Sequence, residues 1–577
     1  MSHRPNLLHK LLSAIPACDI TGSPMRWKSC FALLLAACLA HGEAAKPSAK
    51  PGFKFEISFP AAAHADPITG RVFVILSRDI THCGPANAVA ATTEPCEPRL
   101  QVSRIGVPFF GRDVNSLKAG DSAIIDNSDL GSPLAHLSDI PAGDYYVQAM
   151  VNVYSEFHRA DGHTVWMHDD QWEGQRWQRS PGNLYSKAVK MHIDPASGTI
   201  RVIADQVIPP VTVPADTEYV KHIKFKSELL SKFWGRPIYL GAVVLLPRDY
   251  ERTTIRYPID YVQGHFSLEA PYRFDGQNEL SKAWMSDHYP RMIAVTLQHP
   301  NPYYDDSYLV NSPNVGPYDD ALMQELIPAI EKQFRVISEP YARVVSGGST
   351  GGWISAYLQI FHPTFFGGAW CSCPDAVTFS DVEGVNFYKD DNAFFKMYDW
   401  RPVPTINSRF TNGQAIQTSE QRNRYELVSG NHGRSGEQID VWSAVWGPVG
   451  EDGLFKPAFD KSTGKIDKDV VGYWRDHWDL LEYLKRNWST VGPALKDNLY
   501  FFAGDADTYF LNNSTMELDA WLKTTSAPHS QAQFMYGNLK PHCWQGPVTP
   551  AQRVIEIAQH IQRHKPEGTD TPWWDYR

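Results

Sequence analysis

Residues 343–353 read Arg-Val-Val-Ser-Gly-Gly-Ser-Thr-Gly-Gly-Trp, and this stretch decides the fold. An apolar strand-like segment precedes Ser349, and an apolar helical pattern at 353–361 follows it. Gly347 and Gly351 stand two residues on either side of the serine, which is the spacing of a sharp strand-to-helix turn. Glycines at these positions allow the strand and the helix to approach closely. The stretch therefore predicts Ser349 as an exposed nucleophile near a helix N-terminus.

Apolar strands alternate with helical patterns on both sides of this turn. Such alternation implies a mostly parallel sheet with helices on both faces, so we predict an α/β domain over residues 216–577. Residues 376–468 interrupt the alternation, are rich in Asn, Asp, Gly and aromatic residues, and are predicted to form an irregular lid or cap. The strands are predicted at 238–246, 259–262, 292–297, 343–345 and 498–503, and the helices at 319–334, 470–488 and 551–563.

Residues 53–210 differ in pattern and are predicted to form a separate β-sandwich-like domain. Short alternating apolar stretches are separated there by Gly, Pro, Asn and Asp, without a helix-length amphipathic segment. A proline-rich stretch at 209–214 is the predicted linker. The domain also contains a His- and Asp-rich segment at 158–170 without standard metal-ligand spacing. We interpret that segment as a solvated or interdomain loop, with a metal or sugar site as the alternative.

The first 45 residues have the order of a secretory signal. Arg26 and Lys28 precede an apolar run at 30–40, and small residues follow it. The run is too short to span a bilayer. Met25 is an alternative start, and the segment ending at Cys38 resembles a bacterial lipobox. We therefore expect an exported protein, periplasmic or extracellular, released by ordinary cleavage or lipid-anchored at Cys38.

Charge and cysteine content restrict the partners. The 577-residue chain has a net charge of −10, which argues against nucleic acid because phosphate binding requires a basic surface. No pair of cysteines has the spacing of a zinc site. In an oxidising compartment we expect a disulfide between Cys83 and Cys96. A bridge from Cys543 to Cys371 or Cys373 is a second candidate.

A serine hydroxyl needs a general base, and the base needs an orienting carboxylate. At a turn of this kind the acid and then the histidine follow the serine along the chain. His542 lies between the last predicted strand and the C-terminal helix, whereas His529 precedes that strand and His477 lies in an earlier helix. We therefore predict His542 as the base. The acid is expected directly after the preceding strand, where Asp505 and Asp507 are both candidates.

An oxyanion hole requires two backbone N–H groups that point at the developing charge. One is predicted from Thr350, the residue after the nucleophile. The other is predicted from His265 or Phe266, in the loop that follows the strand at 259–262.

The sequence resembles the putative-esterase family of α/β-hydrolases, which includes enterochelin esterases and enzymes of the esterase D type. The resemblance covers roughly residues 225–375 and resumes at 501–512 and at the His542 loop. It implies an α/β-hydrolase fold, in some relatives preceded by a β-sandwich, and hydrolysis of carboxylic or thio esters by a Ser-Asp/Glu-His triad. The segments that carry it are R-Y-P-I-D-Y-V-Q-G-H-F (256–266), E-L-I-P-A-I-E-K-Q-F (325–334) and R-V-V-S-G-G-S-T-G-G-W (343–353).

The resemblance also selects the acid. Relatives commonly carry it three residues after a glycine that ends the strand, and Gly504 places Asp507 there. Asp505 would then bond local backbone N–H groups as a turn residue. The resemblance implies no metal, no cofactor, and a small-molecule or polymer-linked ester as substrate. The long insertion and Cys543 depart from the family pattern and leave the substrate open.

Three other functions remain as alternatives. A peptidase and an acyltransferase share this fold and this nucleophile. A catalytically silent binding protein is the alternative outside the enzymes.

Overall fold

A computed structural model describes residues 52–81, 96–170, 172–174, 176–194, 196, 198–303 and 306–574. The predicted leader lies outside the described residues, and so does Cys83. Cys96 is disulfide-bonded, while its predicted partner falls in the part that is not described. Within the described ranges, no helix combines the length and the apolar character needed to cross a membrane.

Two β-sheets and the separate hairpin β7–β8 form the described N-terminal region. The smaller sheet has the strand order β11-β1-β4; the larger has the order β12-β9-β6-β2-β3-β5, with β10 also paired to β6. Apolar residues of both sheets, such as Phe55, Val72 and Val147, meet in one buried core, as in a sandwich. The strands are β1 (Lys54–Ser58), β2 (Ile68–Ser77), β3 (Phe109–Leu117), β4 (Ala123–Ile125), β5 (Gly131–Ser132), β6 (Gly143–Val153), β7 (Ser155–His158), β8 (Thr164–Met167), β9 (Leu184–Tyr185), β10 (Val189–Ile193), β11 (Thr199–Ile203) and β12 (Gln206–Val207).

An eight-stranded sheet forms the centre of the rest of the chain. Its strand order is β13-β14-β16-β15-β19-β20-β25-β26. Seven of these strands run in the same direction, and β14 runs in the opposite direction. This mostly parallel sheet confirms the predicted α/β-hydrolase fold. The strands are β13 (Val220–Ser227), β14 (Ile238–Leu245), β15 (Ile259–Gln263), β16 (Ile293–Gln298), β17 (Asn311–Ser312), β18 (Gly316–Pro317), β19 (Arg343–Gly348), β20 (Ala369–Ser372), β21 (Phe395–Tyr398), β22 (Arg401–Pro404), β23 (Ile406–Arg409), β24 (Ala415–Thr418), β25 (Leu499–Gly504) and β26 (Gln533–Gly537).

Helices connect these strands. The last one begins at a capping box, in which the Thr549 hydroxyl accepts from the Gln552 N–H, and Pro550 occupies its first turn. The helices are α1 (Glu228–Trp234), α2 (Glu279–Trp284), α3 (Tyr318–Ala321), α4 (Ile327–Gln333), α5 (Thr350–Phe361), α6 (Ser419–Ser429), α7 (Gln438–Trp446), α8 (Lys468–His477), α9 (Leu480–Leu495), α10 (Asn512–Leu522) and α11 (Pro550–His564).

Two predicted helices differ in detail from the structure. The pattern at 319–334 is a helix interrupted by a π-helical turn at Leu322–Leu326. The single helix predicted at 470–488 is wrong, because it is divided into α8 and α9. Asp479 accepts a hydrogen bond from the Glu482 N–H and so starts a second helix.

The predicted irregular insertion at 376–468 contains regular structure, which corrects that prediction. It holds two hairpins, β21–β22 and β23–β24, and the helices α6 and α7. Trp446 of α7 packs against Trp353 of α5, with ring centroids 5.4 Å apart. The insertion therefore belongs to the hydrophobic core around the helix that follows Ser349.

The insertion also contacts the N-terminal sheets. Arg71 of β2 donates from Nε to the carbonyl of Val428 at the end of α6, at 2.9 Å. Phe109 of β3 meets Tyr425 of α6 edge to face, with centroids 5.7 Å apart. Residues from Gly52 onward accordingly form one compact unit.

Candidate active site

Ser349 occupies the turn between β19 and α5. Its backbone has φ 59° and ψ −124°, a strained conformation for a residue with a side chain. A Cβ atom at Gly347 would lie 2.6 Å from the Gln263 carbonyl oxygen, and one at Gly351 would lie 2.2 Å from the same atom. Both glycines are therefore required for the close approach of strand and helix that exposes the serine.

The three residues predicted as a triad lie in one chain of hydrogen bonds. The Ser349 Oγ and the His542 Nε2 are 2.8 Å apart, and the His542 Nδ1 is 2.8 Å from the Asp507 Oδ2. Asp507 follows β25 and is fully buried. With its Nδ1–H donating to Asp507, the imidazole presents a lone pair on Nε2 to the serine hydroxyl.

The competing candidates lie elsewhere. The Asp505 carboxylate accepts from the Leu539 N–H at 2.6 Å, which fixes the loop before His542. His529 and His477 each contact a backbone carbonyl, of Thr525 and Tyr473 respectively, four residues earlier along the chain. The structure thus brings Asp507, and neither Asp505 nor the other two histidines, into contact with this site.

Neighbouring acidic side chains act on the pKa of His542. Burial opposes protonation of His542, but its hydrogen bonds with Asp507 and Cys543 outweigh burial and raise the pKa of His542 well above its usual value. A hydrogen bond from Cys373, together with His542, lowers the pKa of the Cys543 thiol. The imidazole therefore has two acidic neighbours, the Asp507 carboxylate and the Cys543 thiol.

The residues predicted for the oxyanion hole lie around Ser349. Thr350 is buried at the first position of α5, where backbone N–H groups lack partners within the helix. His265 and Phe266 line the same cavity as Ser349. The His265 imidazole is held by Asp306, with Nδ1 and Oδ2 2.6 Å apart, so its loop is fixed beside the turn.

A second carboxylate beside the serine escaped the sequence analysis. The Asp375 Oδ1 lies 3.4 Å from the Ser349 Oγ, and its Oδ2 accepts from Tyr308 and Thr350. Burial raises the pKa of Asp375, against the hydrogen bonds from Tyr308 and Thr350. The available signal was its place just after β20, because neighbouring parallel strands end at the same edge of the sheet.

Cys371, Cys373 and Cys543 are free thiols, so the second candidate disulfide is not formed. Among the described residues, two groups of side chains place possible metal-ligand atoms within 4.8 Å of one another. One contains His542, and a metal there would occupy the imidazole that contacts Ser349. The two groups are Cys373, His542 and Cys543, and His168, Asp170 and Glu173.

Ser349 opens into a cavity of about 530 Å³. Its walls combine aromatic rings, among them Phe266, Trp442 and Tyr509, with several charged side chains. A larger cavity of about 800 Å³ lies within the insertion and is not lined by Ser349 or His542. An aromatic wall with a few convergent polar groups is typical of a site for an organic ligand.

Residues 239–460 match the family model described as putative esterase, a span that contains Ser349 but neither Asp507 nor His542. No curated protein sequence matches the chain.

Similar solved structures cover about three fifths of the chain. A ferulic acid esterase is 16% identical, with a TM-score of 0.36 over 59% of this chain and 98% of its own. A fluorophosphonate-binding serine hydrolase of Staphylococcus aureus is 12% identical, with a TM-score of 0.32 over 59% and 98%. An S-formylglutathione hydrolase from Agrobacterium tumefaciens is 10% identical, with a TM-score of 0.34 over 61% and 98%.

Proposed function

We propose that this chain works through a Ser349–His542–Asp507 triad and an acyl-enzyme. Over residues 239–460 it belongs to the putative-esterase family, and it is a carboxylic-ester hydrolase. The observation that carries the proposal is the pair of 2.8 Å hydrogen bonds that joins the three side chains. Ser349 is the nucleophile, His542 the general base and Asp507 the residue that orients the imidazole.

Acylation begins when the Ser349 Oγ attacks the ester carbonyl carbon. The His542 Nε2 takes the hydroxyl proton, and the carbonyl π electrons move to the oxygen. Backbone N–H groups of Thr350 and of the His265–Phe266 loop stabilise that oxyanion. The C–O bond to the alcohol then breaks, and His542 returns the proton to the departing alkoxide.

Deacylation repeats the same steps with water. His542 removes a proton from a water molecule, which attacks the acyl carbon and releases the carboxylic acid, and the proton returns to the Ser349 Oγ. Asp507 stabilises the imidazolium in both halves by holding its Nδ1–H. An acyltransferase would differ only in replacing this water with another acceptor.

A fluorophosphonate probe tests the proposal, because it phosphonylates only an activated serine. Intact mass should show one adduct per chain, and peptide mapping should locate it at Ser349. His542→Ala should lose labelling, whereas His529→Ala, a matched change at an exposed histidine, should retain it. Labelling at another serine, or equal labelling of both variants, would contradict the proposal.

We also propose that the protein is exported. The support is the charged, apolar and small-residue order of residues 26–45. Mass spectrometry of protein recovered from the native host should show a mature chain that begins at or after Cys38. A diacylglycerol on Cys38 would indicate lipoprotein processing, and a retained Met1 or Met25 would contradict export.

A further inference from the structure

Three arginines of the N-terminal region line the cavity that holds Ser349. Arg104 follows the short 3₁₀ helix Pro98–Gln101, and Arg176 and Arg179 lie between β8 and β9. Because these segments belong to the β-sheet region, that region forms part of the wall of the catalytic cavity.

Arg104 lies one aromatic ring away from the proposed base. Its Nη2 donates to the Tyr509 hydroxyl at 2.8 Å, and its guanidinium lies 5.0 Å from the centre of the Tyr509 ring. The same ring meets the His542 imidazole edge to face, with centroids 5.0 Å apart. A group bound by Arg104 would therefore lie beside the reacting ester.

Arg176 and Arg179 bring two further positive charges to the cavity. Arg176 is exposed and Arg179 is partly buried. Burial and the neighbouring guanidinium groups of Arg176 and Arg99 lower the pKa of Arg179. Neighbouring like charges repel each other, and an anion bound between them would relieve the repulsion.

Among the described residues, the acidic side chains of the cavity form no ion pairs with these three arginines, although the Glu383 carboxylate acts electrostatically on Arg104. Across the described part of the chain, none of Arg104, Arg176 and Arg179 has a carboxylate within 4.0 Å. The carboxylates that line the cavity already accept hydrogen bonds from other side chains. Glu173 accepts from Ser180 and also contacts His168, Glu383 accepts from Asn407, and Glu437 accepts from Tyr425. Asp375 accepts from Tyr308 and Thr350.

A fourth arginine supports a ligand on this wall. Arg422 of α6 lines the same cavity and is 1% exposed. Its Nε donates to Glu426 at 3.0 Å, whereas its Nη1 is buried without a hydrogen-bond partner among the described residues. A buried donor on a charged group without a partner is costly, and a bound acceptor would satisfy it.

We propose that Arg104, Arg176 and Arg179, with Arg422 deeper in the wall, form a binding subsite for an oxyanion group of the substrate. The preferred substrate is then an ester that also carries a carboxylate or a phosphate, held in the fork geometry that guanidinium groups offer. The aromatic side chains Trp442 and Tyr509 contact the carbon skeleton between that anion and the ester. This inference rests on the proposed esterase function.

Paired esters that differ in one charge test the subsite. On the acyl side, 4-nitrophenyl hemisuccinate is compared with 4-nitrophenyl valerate, and on the alcohol side, 4-acetoxybenzoate is compared with 4-tolyl acetate. The measured quantity is kcat/KM for the anionic ester divided by kcat/KM for its neutral partner. For at least one pair, Arg176→Gln and Arg179→Gln should each lower this ratio about tenfold or more, as expected for the loss of a hydrogen bond to a charged group. Rising salt should lower the wild-type ratio.

Arg201→Gln is the matched control. Its side chain is 78% exposed in β11 and pairs with Glu56, so both ratios should equal those of wild type. Succinate and inorganic phosphate, used as competitive inhibitors, separate the two anions. Stronger inhibition by succinate assigns the subsite to a carboxylate, and stronger inhibition by phosphate assigns it to a phosphate ester.

Ratios that stay at the wild-type value in both arginine variants, for both pairs, would overturn the inference. The proposed function would still stand if the neutral esters were hydrolysed in a Ser349-dependent way. Failure of the wild-type protein to hydrolyse any of the four esters, with no fluorophosphonate adduct, would instead overturn the esterase function itself.

Discussion

Asp507 and Asp505 stand two residues apart after β25 but have different partners. Asp507 contacts the His542 Nδ1, whereas Asp505 accepts from the Leu539 N–H. Asp507→Asn should lower turnover by roughly 10⁴, because the amide stabilises the wrong imidazole tautomer. Asp505→Asn is the matched control and should change mainly the stability of its loop. Turnover and melting temperature decide the matter, and a catalytically dead Asp505→Asn beside an active Asp507→Asn would refute the assignment.

Cys543 affects the acidity of the base. Hydrogen bonding with Cys543 contributes to the raised pKa of His542, so Cys543→Ala should lower that pKa. Because only the neutral imidazole accepts the serine proton, activity falls as pH drops through the pKa of His542. The acid limb of the kcat/KM profile should therefore move to lower pH in the variant. Cys371→Ala, whose thiol lies in β20 outside this group, should leave the limb in place, and an upward shift in Cys543→Ala would contradict this reading.

Ser349 and His542 could be predicted from the sequence because their signals are local. The glycines around Ser349 are dictated by a turn only a few residues long, and His542 is recognised by its position between the last strand and the last helix. Asp375 could not be identified in this way. Its contact with Ser349 depends on the pairing of β19 with β20 and on Tyr308, which is far away along the chain.

The insertion is held by charges that are buried within it. The Lys461 ammonium contacts Glu426 at 2.5 Å and also the Asp440 carboxylate. Lys461→Ala should lower the free energy of unfolding by about 3–5 kcal/mol, because the buried Asp440 carboxylate loses its cation and Glu426 keeps only Arg422. Lys465→Ala changes an exposed lysine in the same segment and should be nearly neutral. Equal denaturant midpoints for the two variants would show that the charges are already solvated.

The same charges explain why helix α6 of the insertion was missed. Helix α6 reads S-E-Q-R-N-R-Y-E-L-V-S and has no apolar stripe, yet Arg422, Asn423 and Glu426 are buried. A search for hydrophobic periodicity cannot find a helix whose buried face is polar. Five strands of the central sheet, by contrast, contain apolar runs and were predicted to within a few residues; β13 (V-K-H-I-K-F-K-S) was not predicted.

At the scale of the whole molecule, Arg71 links the N-terminal sheets to the insertion. It donates to the carbonyls of Val428 and Leu427 at the end of α6, at 2.9 and 3.2 Å. Arg71→Ala should lower the free energy of unfolding by about 1–3 kcal/mol, since those buried carbonyls lose their donor. Arg201→Ala, an exposed change in the same region, should have little effect. A denaturation midpoint equal to that of Arg201→Ala would contradict the coupling.

The sequence predicted the two regions but not their shared cavity. The contact of Arg104 with Tyr509 joins residues about 400 positions apart, and no local pattern encodes it. The family resemblance did not supply it either, because it began only near residue 225. The contribution of the β-sheet region to the active site therefore became visible only in the folded chain.

Turnover by the Ser349→Ala variant tests the central claim most directly. The variant removes one oxygen atom from a residue at the end of a strand, so far-UV circular dichroism and melting temperature should match the wild type. Hydrolysis of 4-nitrophenyl valerate should fall by a factor on the order of 10⁶, the typical cost of losing such a nucleophile. Near-wild-type turnover by correctly folded Ser349→Ala protein would contradict the account.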